Sequence, residues 1–241
     1  MKTNKSQRKV KIISEIHPQF MGSKNEIKRM IIQSKLGGAD YVKIQLYSSK
    51  KLFGNTDREY LEISFDELKE LKKFSEDQDI KIFASIFDAE KIDWCEKLDF
   101  EIYKIASRTV EDKNLCEKII STKKRIIVSL GMYDYEKNGV PFKDKNIDYL
   151  YCISNYPTDY KKIKMPNFDK SFFSGFSDHT IGIGACLFAV SRGAEYIEKH
   201  FSNNNSMNVG TQMAHICSMN YEELALLRKY SDNLTLLRSY I

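Results

Sequence analysis

The sequence predicts an α/β chain folded as one (β/α)8 TIM barrel, a single domain over residues 1–241. Three observations carry this expectation. The chain has 241 residues, close to the ~250 over which such barrels commonly run as one unit. Short β-branched or aromatic runs alternate with amphipathic stretches, the pattern of βαβ units on a parallel sheet, and eight such runs can be counted. No GxGxxG turn follows any of them, and an open doubly wound sheet would normally use fewer strands.

In chain order, strand one is expected at 10–16, followed by a helix at 24–36 that Gly37 and Gly38 end at the C-cap. Strand two at 41–45 leads to a helix at 65–77, strand three at 80–85 to one at 89–97, and strand four at 101–106 to one at 114–122. Strands five and six, at 125–129 and 149–153, are clear. The stretches behind them, 133–146 and 159–169, carry Gly, Pro and mixed charge in place of a helical period. Strand seven at 172–177 precedes a helix at 181–192 closed by Gly193, and strand eight at 196–199 precedes a last helix at 221–240.

Composition excludes several classes. Lys and Arg total 38 against 33 Asp and Glu, a net charge of +5 with the two signs interspersed, so a nucleic-acid groove is not expected. The longest apolar run, 185–190, falls far short of the ~20 residues of a membrane span. The N-terminus is polar and basic with no apolar segment after it, so no targeting signal is read and a cytoplasmic protein is expected. Five widely spaced cysteines without a CxxC pair read as reduced thiols.

In a barrel, function sits at the C-terminal ends of the strands. There the sequence places Glu15 and His17, Lys43 and Gln45, Ser85 and Asp88, then Lys104, Ser107 and Arg108. The later strands end in Ser129, in Ser154 and Tyr156, in Ser177, Asp178 and His179, and in Glu198, Lys199 and His200. Parallel strands are normally apolar, and buried lysines need a counter-charge, so an anionic ligand is expected. His179 and His200 end neighbouring strands, each preceded by an acidic residue, and could share one divalent ion. Single histidines are more often plain core or surface residues; His17 has weaker support as a ligand than the pair, and His215, in an Asn-rich irregular stretch, suits a surface role equally well. Lys43 and Lys104 suit either a Schiff-base amine or fixed positive charges. The accompanying Ser107, Ser129 and Ser177 favour an anion cradle.

Eight ordered strings, SEI (14–16), VKIQ (42–45), FASIFD (83–88), YKIAS (103–107), VSLGM (128–132), CISNYPT (152–158), GFSDHTIG (175–182) and GAEYIEKHF (193–201), resemble the sialic acid synthase family. These enzymes condense phosphoenolpyruvate to make N-acetylneuraminate, legionaminate and pseudaminate. The resemblance covers roughly residues 11–227, the barrel domain. It implies a metal-dependent synthase of a 2-keto-3-deoxy sugar acid for surface polysaccharide, joining phosphoenolpyruvate to a sugar aldehyde. Lys43, Ser85, Lys104, Ser107, Ser129, Ser154 and Ser177 would hold phosphoenolpyruvate. Glu15, Gln45, Tyr156 and Arg108 would face the acceptor, and His179 and His200 would hold manganese or magnesium. Lys104 would also steady developing charge, and Glu15 or Glu198 would handle the proton, a choice the sequence leaves open. A barrel aldolase using Lys104 as a Schiff base, and a non-catalytic relative binding an anion or a partner, remain as alternatives.

The chain departs from the family pattern on the acceptor side. Where the family opens AEIGxNHxG, this chain has His17, Gln19 and Phe20 at the Gly, Asn and His positions. Arg108 and Thr109 replace a small residue and a Glu, which suits a more anionic acceptor. Around Gly210, Thr211 and Gln212 the expected GPD aspartate has no counterpart. No antifreeze-like C-terminal domain is expected after Ile241. Family members dimerise through that domain, so a homodimer of this chain would have to form differently.

Overall fold

A computed structural model describes residues 9–207 and 214–240. Eight parallel strands close into a barrel in sequence order. They are β1 (Lys11–Glu15), β2 (Tyr41–Leu46), β3 (Lys81–Ile86), β4 (Ile102–Ile105), β5 (Arg125–Ser129), β6 (Ile147–Cys152), β7 (Phe173–Asp178) and β8 (Tyr196–His200). The ring closes through β1 against β8, with Glu15 level with His200, so the first and last strands bring their end residues together.

The helices follow the apolar period and start where small polar residues satisfy the free N–H groups. Ser23 caps α1 (Lys24–Leu36), and Ser64 caps α3 (Phe65–Asp77) in a capping box with Glu67. Asp88 caps α4 (Ala89–Lys97) and Asp112 caps α5 (Lys113–Ser121). Asn220 and Glu223 form a second capping box on α8 (Tyr221–Arg238). A five-residue α2 (Ser49–Phe53) lies in the β2–α3 connection, where the sequence carries no helical period. Behind β5 only the single turn α6 (Tyr135–Asn138) forms, and behind β6 only the 3-10 turn Tyr160–Lys162, in keeping with the Gly- and Pro-bearing sequence there. The α7 helix (Gly184–Ser191) fills the groove behind β7. Gly193, at φ +98°, ends that region in the left-handed conformation expected after a helix.

Side chains alternate between the two faces of each strand. One set, including Ile12, Val42, Ile44, Ala84, Ile105, Val128 and Ile197, is buried between sheet and helices. The other set enters the barrel and becomes polar toward the C-terminal ends. Towards the N-terminal ends, Gly175 lets β7 approach β8 closely, since a Cβ would lie 2.2 Å from the Tyr196 carbonyl oxygen.

This alternation revises three of the strand-end expectations. Asp178 and Lys199 lie on the outward face and pair with each other at 2.7 Å, both wholly buried. The Lys199 ammonium also donates to the Thr180 carbonyl (2.7 Å), and Asp178 accepts from the Thr180 hydroxyl (3.1 Å) and amide. They fasten β7 to β8 on the face turned away from the barrel interior. Asp88 is a helix cap whose other oxygen pairs with Lys51 at 2.6 Å. Among the described residues, no helix is long and apolar enough to cross a membrane.

A buried charge left without its partner costs about 3–5 kcal/mol. Lys199→Met should therefore lower unfolding stability by about that amount in denaturant titration, and a loss under 1 kcal/mol would show that Asp178 is not held by this pair.

Candidate active site

A cavity of about 400 Å³ opens at the C-terminal mouth of the barrel, within the range typical of small-molecule sites. Its lining includes all fourteen site residues expected from the sequence: Glu15, Lys43, Gln45, Ser85, Lys104, Ser107, Arg108, Ser129, Ser154, Tyr156, Ser177, His179, Glu198 and His200. Their common placement follows from strand register. Lys43 lies level with Glu15, Gln45 with Ser85, Ser85 with Lys104, and Ser177 with Glu198.

The floor is a lattice of two lysines and two glutamates. Lys43 pairs with Glu15 and lies 3.5 Å from Glu198, while Lys104 lies 3.6 Å from the other oxygen of Glu198. Hydroxyls complete it: Lys43 donates to Ser85 (3.2 Å), Lys104 to Ser129 (2.6 Å), and Ser177 to Glu198 (2.9 Å). The formal charges cancel within the lattice, which is how four ionisable groups can be buried at all.

The two carboxyls differ. Burial raises Glu15, Lys43 opposes this, and the neighbouring Glu198 adds to the rise. For Glu198 burial pulls the same way, but Lys104 and Lys43 outweigh it and hold the group at about 2. Burial lowers Lys104, with Glu198 opposing, whereas Lys43 is raised because Glu15 and Glu198 outweigh its burial.

His179 and His200 face each other beyond this lattice, ring centres 5.7 Å apart. His179 Nδ1 bonds the Ile153 carbonyl at 2.8 Å, and His200 Nδ1 bonds the Gln19 side-chain oxygen at 3.1 Å. Both oxygens can only accept, so each Nδ1 carries the proton and each Nε2 keeps its lone pair, the tautomer of a metal-ligating histidine. Burial and the neighbouring positive groups hold His200 far below the usual imidazole range; burial also lowers His179, but Cys152 draws it up past the ordinary value. Among the described residues no three His, Cys, Asp or Glu gather as a ligand set, so these two imidazoles are the protein donors on offer. The acidic neighbours Asp178 and Glu198 serve ion pairs elsewhere.

The rewritten first loop forms a wall. His17 Nε2 meets the Tyr47 hydroxyl (3.3 Å), and its ring packs on Phe20. Burial, Lys43 and Arg58 hold it neutral with a pKa of about 3. Gln19 takes up the orienting bond to His200, and Gln45 donates to the His17 carbonyl (3.2 Å). Tyr156 lies against His179 at 4.1 Å between ring centres. The Ser107 hydroxyl donates to Cys152 Sγ (3.7 Å) and accepts from the Gly131 amide (3.0 Å). Only glycine fits at 131, since a Cβ would lie 2.6 Å from the Ser154 hydroxyl. His215 is buried against the Ser202 hydroxyl (2.8 Å) and does not line the cavity. Gly210, Thr211 and Gln212 lie outside the described residues.

Sequence reasoning missed Tyr47, Phe87, Arg58 and Cys152 in the lining. Cys152 opens the CISNYPT string but reads there as one of five reduced thiols. Arg58 lies in a long connection, beyond the reach of a rule that inspects strand ends only.

Fold and site together define a barrel enzyme class in which a buried Lys/Glu/Ser cradle adjoins an imidazole pair. The match to the NeuB family model over residues 30–239 places the chain in that family. An uncharacterised protein of Methanocaldococcus jannaschii is 34% identical over 75% of this chain, which spans 58% of that protein. The N,N'-diacetyllegionaminic acid synthase of Campylobacter jejuni is 30% identical over 91% of this chain and 75% of its own length. The sialic acid synthetase structure from Leptospira borgpetersenii superposes with a TM-score of 0.83 at 27% identity, covering 96% of this chain and 85% of that one.

The Glu198 shift sets a stability window. Its folded pKa of about 2 lies below the ordinary 4.5, so its stabilisation is full above 4.5 and lost as pH falls through 2. Glu198→Gln should flatten the fall in unfolding free energy across that window by ~2–4 kcal/mol. A variant with the same acid profile as wild type would contradict the lattice.

Proposed function

We propose that this chain joins phosphoenolpyruvate to an aldose, an acylamino sugar or a related one, giving a 2-keto-3-deoxy sugar acid of the nonulosonate type and phosphate. The supporting observation is the buried lattice of Lys43, Lys104, Glu15 and Glu198, set among Ser85, Ser129 and Ser177. Ser107 and Ser154 extend the row of hydroxyls along the same cavity. Relatives named as legionaminic and pseudaminic acid synthases support the same reading, in which the product serves surface polysaccharide.

The lysines and hydroxyls hold the phosphate and carboxylate of phosphoenolpyruvate in a pocket that excludes water from their charges. The phosphoenolpyruvate methylene carbon bonds to the aldehyde carbon, whose oxygen takes a proton. Water adds at the adjacent carbon, and the bond from that carbon to the phosphate oxygen breaks, leaving the keto acid. Glu15, raised by burial, can carry a proton between these oxygens, while Glu198, held at about 2, stays a carboxylate and fixes the lysines. A divalent manganese or magnesium ion held by the free Nε2 atoms of His179 and His200 would supply Lewis-acid polarisation of the acceptor carbonyl. Gln45, Tyr156 and Arg108 line the acceptor side.

The lowered Lys104 amine favours one second reading, a Schiff-base aldolase. Borohydride trapping of a pyruvate adduct on Lys104 would establish it.

Phosphate release from phosphoenolpyruvate, assayed across a panel of aldoses with manganese(II), should show turnover with at least one acylamino sugar. Silence across the panel would contradict a synthase. His179→Ala should abolish manganese binding and turnover together, and Glu15→Gln should lower kcat by ~10²–10⁴. Full activity in either variant would remove that residue from the mechanism.

A further inference from the structure

The inner lattice carries two positive and two negative groups and is neutral before any ligand arrives. Two more cations line the same cavity higher up, Arg58 and Arg108. Among the described residues neither guanidinium has a carboxylate within ion-pairing distance, so the mouth holds an uncompensated charge of two. Both are fixed by one ring. The guanidinium carbon of Arg58 lies 4.5 Å from the centre of Phe53, and that of Arg108 lies 5.2 Å from the same centre. Stacking against an aromatic face holds a planar guanidinium while leaving its N–H edge free, the arrangement that grips a phosphate through paired hydrogen bonds.

Phe53 belongs to α2, the short helix in the β2–α3 connection, and Arg108 follows β4. The clamp is therefore anchored on the β2–β4 sector of the mouth, while His179 and His200 sit on β7 and β8. Both sets of groups line the same cavity.

We infer that Arg58, Phe53 and Arg108 form an anion clamp that selects an acceptor sugar carrying a phosphate monoester at the end remote from its aldehyde. This rests on the synthase reading for the identity of the acceptor, but its binding test does not require turnover. Two arginines without a carboxylate partner among the described residues gain little from neutral hydroxyls. A doubly charged monoester suits both at once.

The test measures binding of an N-acetylhexosamine 6-phosphate, the unphosphorylated N-acetylhexosamine and the corresponding uronic acid by calorimetry, with phosphoenolpyruvate present. Wild type should bind the phosphate at least about ten-fold more tightly than the neutral sugar, a preference that weakens with added salt. Arg58→Ala/Arg108→Ala should erase it, and Arg58→Lys/Arg108→Lys should restore only part, because lysine lacks the planar fork. Equal binding of phosphorylated and neutral sugars by wild type would overturn the clamp. So would tighter binding of the uronic acid than of the phosphate, or a double alanine variant that raises the KM for phosphoenolpyruvate and spares the acceptor. Turnover of neutral aldoses only would leave the synthase standing without the clamp. Phosphate-selective binding with no turnover of any aldose would leave the clamp standing without the synthase.

Discussion

The site depends on one electrostatic constraint, that four ionisable side chains inside the barrel neutralise one another. Burying a single lysine in such a position costs several kcal/mol, and the amine would shed its proton before accepting that cost. Glu15 and Glu198 outweigh burial at Lys43, and Glu198 opposes it at Lys104, with Ser85, Ser129 and Ser177 taking up remaining hydrogen-bonding capacity. Strand order determines which groups meet. Since β1 closes on β8, residues 15 and 198 meet at the seam, and the lysines reach them from β2 and β4.

The lattice also separates the roles of two residues of the same type. Glu198 is held at about 2 by two lysines, whereas Glu15 is raised because burial and a neighbouring carboxylate outweigh its single lysine partner. In the proposed reaction the first remains charged and holds the cations in place, and the second exchanges the proton. The sequence leaves that choice open, because both residues are glutamates at strand ends.

Most of the barrel was legible in the sequence because each strand is a short β-branched run and each long helix has its own apolar period and cap. The strand-end rule then found the chemistry, since Lys43, Lys104, Glu198 and the histidines interrupt runs that should be apolar. It overreached at Lys199 and Asp178, where the period of two turns a charged pair outward to bond strand to strand. It fell short at Arg58, which reaches the mouth from within a long connection, and at Gln19, whose bond to His200 links the rewritten first loop to the imidazole pair. Contacts of that kind arise from how loops fold back over the barrel, and no local pattern of residue types encodes them.

The histidine pair and the arginine pair divide the mouth between two kinds of recognition. The imidazoles offer lone pairs to a divalent cation, and the guanidiniums offer donors to an anion. In the proposed reaction the lysines of the lattice below hold phosphoenolpyruvate, Lys104 among them. Isothermal titration of phosphoenolpyruvate into wild type and into a correctly folded Lys104→Met variant tests this directly. The account predicts saturable binding by wild type without any acceptor and a loss of about 100-fold in affinity for the variant. Equal affinity in the two proteins would contradict it.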